Sequence, residues 1–151
     1  MIDVIAKKYN IKLPEKCEKD RFIPDVMVVC DRTIDTIRGI TGPPSLIVEV
    51  VSRGTAVYDS TIKKEVYALI GVKEYWIADP YMKSVVTYVL KDGAYDITGE
   101  YYKYTPGEIK DIEEEKEFLK KGWTEIITEF SPYYFPDLTI SIDDVFDDLI
   151  E

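Results

Sequence analysis

Ser45-Leu46-Ile47-Val48-Glu49-Val50-Val51 is apolar on both alternating faces except at Glu49. A continuous apolar run, rich in β-branched residues, reads as a strand covered on both sides, as in the centre of an α/β sheet. A carboxylate buried in such a strand costs several kcal/mol unless a cation, a metal or a set of donors compensates it. A second run, Asp25-Val26-Met27-Val28-Val29-Cys30, opens on an acid directly after Pro24. Lys63 follows at the start of an expected helix. Two acids on neighbouring strands and a lysine at a helix entrance are the minimal set for metal-assisted phosphodiester hydrolysis.

The remaining elements extend outward from these strands. Asp59 or Ser60 is expected to cap a helix running to Ile70, with Gly71 as its stop. Lys63, Val66, Tyr67 and Ile70 share one face of that helix, while Lys64 and Glu65 point outward. Glu74-Tyr75-Trp76-Ile77-Ala78 reads as a strand ended by Asp79-Pro80, and Val85 to Leu90 as a strand turning at Lys91-Asp92-Gly93. Gly93 and Gly99 are read as turn glycines. Glu108 to Lys121 is a charged helix or insertion, Pro136 to Ile140 a short strand, and Ile142 to Ile150 a closing amphipathic helix. This order predicts an α/β fold with a mixed central sheet flanked by helices.

Composition narrows the chemistry. The 151 residues correspond to one domain, with 46% hydrophobic and 32% charged residues. No apolar run reaches the roughly 18 residues of a membrane span, and the N-terminus does not read as a signal peptide. Cys17 and Cys30 lack metal-ligand spacing and read as reduced thiols. The absence of histidine excludes Ser-His-Asp and Cys-His catalysis and His-ligated metals. The net charge of −10 opposes nucleic-acid binding at long range. However, the acids concentrate in Glu108–Glu117 and in Asp137–Glu151. Glu49 to Lys73 carries three acids against four bases, leaving room for a neutral or basic working face.

Mg²⁺ takes oxygen ligands, keeps several waters, and uses one or two carboxylates with substrate phosphate. Asp25 and Glu49 could supply the carboxylates and the Val50 carbonyl a third oxygen. Lys63 would orient the attacking water or neutralise developing charge. The simpler alternative is a buried Glu49–Lys63 ion pair with no catalytic duty. Arg53 and Thr55 could reach a phosphate or merely form their turn. Tyr67, Tyr75 and Trp76 read as core.

In order along the chain, four blocks resemble the Uma-type "putative restriction endonuclease" domain, a family of the PD-(D/E)XK nuclease superfamily. They are Pro24-Asp25; Ile47-Val48-Glu49-Val50; Asp59 with Lys63 and Tyr67; and Gly71-Val72-Lys73-Glu74-Tyr75-Trp76-Ile77-Ala78-Asp79-Pro80. The resemblance runs over residues 24–147, through the Asp92-Gly93 hairpin and Phe135–Ile140 to Val145-Phe146. It implies a single restriction-endonuclease-like domain over residues 1–151, in which 1–23 form an abbreviated lead-in without the hairpin that members carry there. It implies a cytoplasmic DNA endonuclease acting as a homodimer, with Asp25, Glu49 and Lys63 catalytic and Mg²⁺ or Mn²⁺ held by Asp25, Glu49 and Val50. The superfamily's lysine two positions after the glutamate would fall at Val51, so the lysine implied is Lys63. The competing function is a nuclease-fold module without catalysis, serving in dimeric interaction or nucleic-acid binding.

Overall fold

The alternation of apolar residues in the Glu49 run gives β4 (Leu46–Val50) two buried faces, and the computed structural model places this strand inside a five-stranded sheet. The structure describes residues 22–37, 39–119 and 126–147. Residues 1–21 of the expected lead-in, Cys17 among them, lie outside them. The sheet order is β1-β4-β5-β6-β7, with β1 (Val26–Val28), β5 (Glu74–Asp79), β6 (Ser84–Lys91) and β7 (Ala94–Tyr102). β4 and β5 run parallel and the other pairs antiparallel, so the sheet is mixed. β1 is shorter than its apolar run because it forms the sheet edge, where Val26 and Met27 are exposed. Two short strands, β2 (Asp35–Thr36) and β3 (Gly39–Ile40), pair with each other between β1 and β4.

A helical run links the parallel strands, as a crossover must. It consists of α1 (Ala56–Tyr58), a π-helical turn at Asp59–Lys63, and α2 (Lys64–Ile70). Gly71 ends it at φ +88°, a conformation that glycine adopts without strain. Asp59, Ile62, Val66 and Tyr67 are buried at i, i+3, i+7 and i+8, so their face meets the sheet. Ile70 is 45% exposed, so the expected face stops one turn earlier. Burying each of Ile62 and Val66 contributes about 1.5–3 kcal/mol. Ile62 is wholly buried, so Ile62→Ala would break this contact most directly, at about 2–5 kcal/mol.

The two sheet faces have separate cores. Ile47, Val51, Tyr67, Val72, Tyr75, Ile77 and Tyr88 cluster on the helical side. Leu46, Trp76, Ala78, Val85, Phe130, Ile142 and Phe146 cluster on the other. That second face is covered by β8 (Glu129–Phe130), β9 (Ile140–Ser141) and α4 (Ile142–Phe146). The strand expected at Pro136 to Ile140 is confined to its last residue and Ser141, because Pro136 has no N–H for a ladder. The expected closing helix is described only to Phe146.

The β6–β7 hairpin turns through Asp92 and Gly93, both at positive φ, as a two-residue primed turn requires. Gly99 is a strand residue and not a turn glycine. It lies opposite Thr87 beside a register shift, where a Cβ would overlap the Tyr101 ring. The charged segment forms α3 (Pro106–Leu119). At its start Thr105 and Glu108 exchange hydrogen bonds as a capping box.

Candidate active site

The candidate residues meet where β1 begins and β4 ends. Register pairs Val26 with Val48, and its continuation sets Asp25 opposite Glu49. Strand alternation then puts Asp25 on the helical face of the sheet, with Met27, Ile47 and Glu49. Asp25 is exposed, and its Oδ2 accepts the Val50 N–H at 2.8 Å. The acid is thereby tied to the main chain of the glutamate strand.

Glu49 is 1% exposed. Lys63 Nζ donates to its Oε2 at 2.8 Å and the Tyr67 hydroxyl to its Oε1 at 2.6 Å. Lys63 Nζ also lies 2.9 Å from Asp59 Oδ1. That contact pairs the charges but is not aligned as a hydrogen bond, and this buried oxygen has no aligned donor among the described residues. Asp59 is 2% exposed, inside the helical run. It is therefore not the expected N-cap: the run begins earlier, after Thr55. The π turn has a local consequence as well. Tyr75 OH donates to the Asp59 carbonyl at 3.0 Å, fixing the turn against β5.

Burial pushes the Glu49 carboxyl above its ordinary value, and the Asp59 charge adds to this against the hydrogen bonds from Lys63 and Tyr67. Burial alone would weaken the Lys63 ammonium. The hydrogen bond to Glu49 and the pairing with Asp59 outweigh it, and the Lys63 pKa stands above its ordinary value. Burial and the adjacent Glu49 carboxylate drive the Tyr67 hydroxyl far upward, so it stays a protonated donor.

Lys63 has only 17% of its side chain exposed and points into the site, whereas Lys64 does not point freely outward as expected. Its Nζ sits 3.8 Å from the centre of the Tyr88 ring, and burial lowers its pKa. Tyr67 and Tyr75 are core residues, as their pattern implied, yet both hydroxyls hold the site. The spacing Asp59, Lys63, Tyr67 at i, i+4, i+8 on one face is the sequence signal for the roles of Asp59 and Tyr67; Tyr75 lies on β5, outside it.

The donors suit a hard divalent cation. Asp25 and Glu49 offer only oxygens, and each carboxylate keeps lone pairs beyond the hydrogen bonds it accepts. Two buried carboxylates, Glu49 and Asp59, share one ammonium, so the formal charge left over is negative. Among the described residues no group of three His, Cys, Asp or Glu forms a protein cage. One or two carboxylates with substrate phosphate suffice for Mg²⁺.

Comparison with known proteins bears on the fold and the family. None of the curated proteins matches the chain. Among solved structures, one similar protein is "a putative nuclease belonging to DUF820" from Anabaena variabilis ATCC 29413. It superposes with a TM-score of 0.51 at 17% identity, over 83% of this chain and 60% of that one. The chain thus spans about three-fifths of that relative's length, and at this identity the likeness establishes a nuclease-like fold. The family Uma2, described as "Putative restriction endonuclease", matches residues 3–115. With three-quarters of the sequence inside that match, the chain belongs to the Uma2 restriction-endonuclease-like family.

Proposed function

We propose that this protein is a Mg²⁺-dependent endonuclease hydrolysing DNA phosphodiester bonds. One observation carries the reading: Asp25 is bonded to the glutamate strand beside Glu49, whose carboxylate is shared with a lysine facing the same site. Asp25, Glu49 and the Val50 carbonyl would hold the ion. A bound divalent ion would acidify a water and offset charge on the phosphate.

The chain's own residues do the remaining work. Lys63 donates one hydrogen bond to Glu49, and its charge also pairs with Asp59. Its remaining N–H donors would serve the attacking water or a non-bridging phosphate oxygen, where the positive charge stabilises the transition state. Asp59 and Tyr67 hold Lys63 and Glu49 in place. Tyr67 also closes the site on the side of a cavity of about 230 Å³ lined by Phe22, Met27 and Ile47. A homodimer in the cytoplasm, as the family resemblance implies, belongs to the same reading.

The Glu49–Lys63–Asp59 network, in which one ammonium pairs both buried acids, supports a second reading as a non-catalytic module that binds nucleic acid or a second copy. Incubation with plasmid and single-stranded DNA in Mg²⁺ or Mn²⁺ separates the two. The endonuclease gives cleavage that EDTA and Lys63→Ala abolish and Lys64→Ala spares. Absence of cleavage across metals and substrates favours the module.

A further inference from the structure

β4 and β5 are parallel, and in open α/β sheets ligands gather beyond the carboxyl ends of such strands. Two loops leave those ends. Ser52-Arg53-Gly54-Thr55 follows β4, and Pro80-Tyr81-Met82-Lys83 joins β5 to β6. The loops meet, with the Arg53 guanidinium 4.9 Å from the centre of the Tyr81 ring. Between them these eight residues carry two bases and no acid, on a chain of net charge −10.

The β5–β6 loop is held rigidly. Asp79 Oδ1 accepts the backbone N–H groups of both Tyr81 and Met82, at 2.8 and 3.0 Å. Lys83 adopts φ +47°, uncommon for a residue with a side chain. Tyr81 and Met82 are nevertheless 60% and 66% exposed. A fixed turn that presents a large ring to solvent, with a guanidinium over it, has no role in either core. Arg53 and Tyr81 each lie three residues beyond a paired position, Val50 and Ala78. Three Cα steps span at most about 11 Å, so Arg53 lies within that distance of the Val50 backbone that Asp25 holds.

We propose that Arg53 and Tyr81 form a single-strand platform for the substrate of the candidate site: Tyr81 stacks an unpaired base, and Arg53 pairs with the phosphate beside it. The inference rests on the endonuclease reading for the identity of the ligand. It specifies a substrate unpaired at this point, either single-stranded or locally opened. Every base has a π-face, so the platform gives strand-type preference and little sequence preference.

The test is fluorescence anisotropy with a labelled mixed-sequence single-stranded oligonucleotide and its duplex at low salt, with EDTA and again with Mg²⁺. The platform predicts that Tyr81→Ala weakens single-strand binding about 5- to 150-fold, the usual range for losing one base–aromatic stack. Tyr81→Phe retains it, Arg53→Ala weakens it and makes its salt dependence shallower, and duplex affinity changes less than about twofold in Tyr81→Ala. Melting curves equal to wild type show that the variants are folded. Equal single-strand affinity in wild type and Tyr81→Ala overturns the platform, as does wild type that binds no oligonucleotide. Cleavage of the same oligonucleotides tests the parent reading separately. Binding that responds to Tyr81 without any cleavage leaves the platform and removes the endonuclease. Cleavage that ignores Tyr81 and Arg53 does the reverse.

Discussion

Glu49 and Glu74 are both 1% exposed, on neighbouring parallel strands, yet they are buried for different ends. Glu74 faces the core of Trp76 and Phe130. Its carboxylate accepts Trp76 Nε1 at 2.8 Å and the backbone N–H groups of Tyr133 and Tyr134 at 2.9 and 3.2 Å. These are neutral donors, and they pin the 133–134 turn to the sheet. Glu49 lies on the opposite face near the other end of its strand, where it shares Lys63 with a second buried acid. A buried acid saturated by neutral donors ties parts of a fold together. One that must share a cation with another acid marks a place where charge is left over. Partners, more than burial, separate the structural glutamate from the candidate catalytic one.

The largest effect expected is at Lys63. Lys63→Ala should lower cleavage by about 10²–10³, the usual loss for one charge-stabilising donor. It should also destabilise by about 3–5 kcal/mol, since Glu49 and Asp59 are left buried without a cation. Rates measured well below the variant's melting temperature separate the two effects. A Lys63→Ala protein as stable and as active as wild type would erase the distinction between the glutamates.

Stability sharpens the comparison next. Glu74→Ala strands three donors and should cost about 3 kcal/mol, or a Tm drop of about 10 °C at this chain length. Glu49→Gln should stay within about 1 kcal/mol of wild type or exceed it, because Lys63 then faces Asp59 alone. Calorimetric melts of the two variants compare them directly, and the reverse order would make Glu49 the structural acid.

Much of this was legible in the chain. The Glu49 run placed β4 inside the sheet, because a two-faced apolar strand has few other homes. The Gly71 stop, the Glu74 strand and the Asp92-Gly93 hairpin follow from local backbone chemistry, and all three are found. Asp59 departs from the expected cap because an acid near a helix start suits a cap and a buried pair equally well in sequence. Only the earlier start at Ala56 and the π turn carry it into the core. Glu74 went unremarked as a buried acid because its donors come from Tyr133 and Tyr134, about sixty residues away. No local pattern announces such a partner.

Alkaline titration probes the same region. Lys63, Tyr67 and Tyr75 all have folded pKa values above their ordinary values of 10.5, 10.0 and 10.0. A raised folded pKa contributes stability that is complete below the unfolded value and lost as pH climbs through the folded one. Tm should therefore hold from pH 7 to about pH 9 and fall above about pH 10, with a shallower fall in Lys63→Ala. An equal slope in that variant would detach Lys63 from the titration.

The smallest effect belongs to Lys64. Lys64→Ala loses a cation–π contact with Tyr88 and should cost about 0.5–1 kcal/mol, with cleavage unchanged. A rate loss matching that of Lys63→Ala would show that general positive charge, and not one placed ammonium, does the work.

The central claim, that Glu49 and not Glu74 holds a divalent cation with Asp25, is tested most directly by isothermal calorimetry with Mn²⁺. Wild type and Glu74→Gln should each show one site, and Glu49→Gln and Asp25→Asn should show none. An unchanged Mn²⁺ isotherm in folded Glu49→Gln would contradict the account.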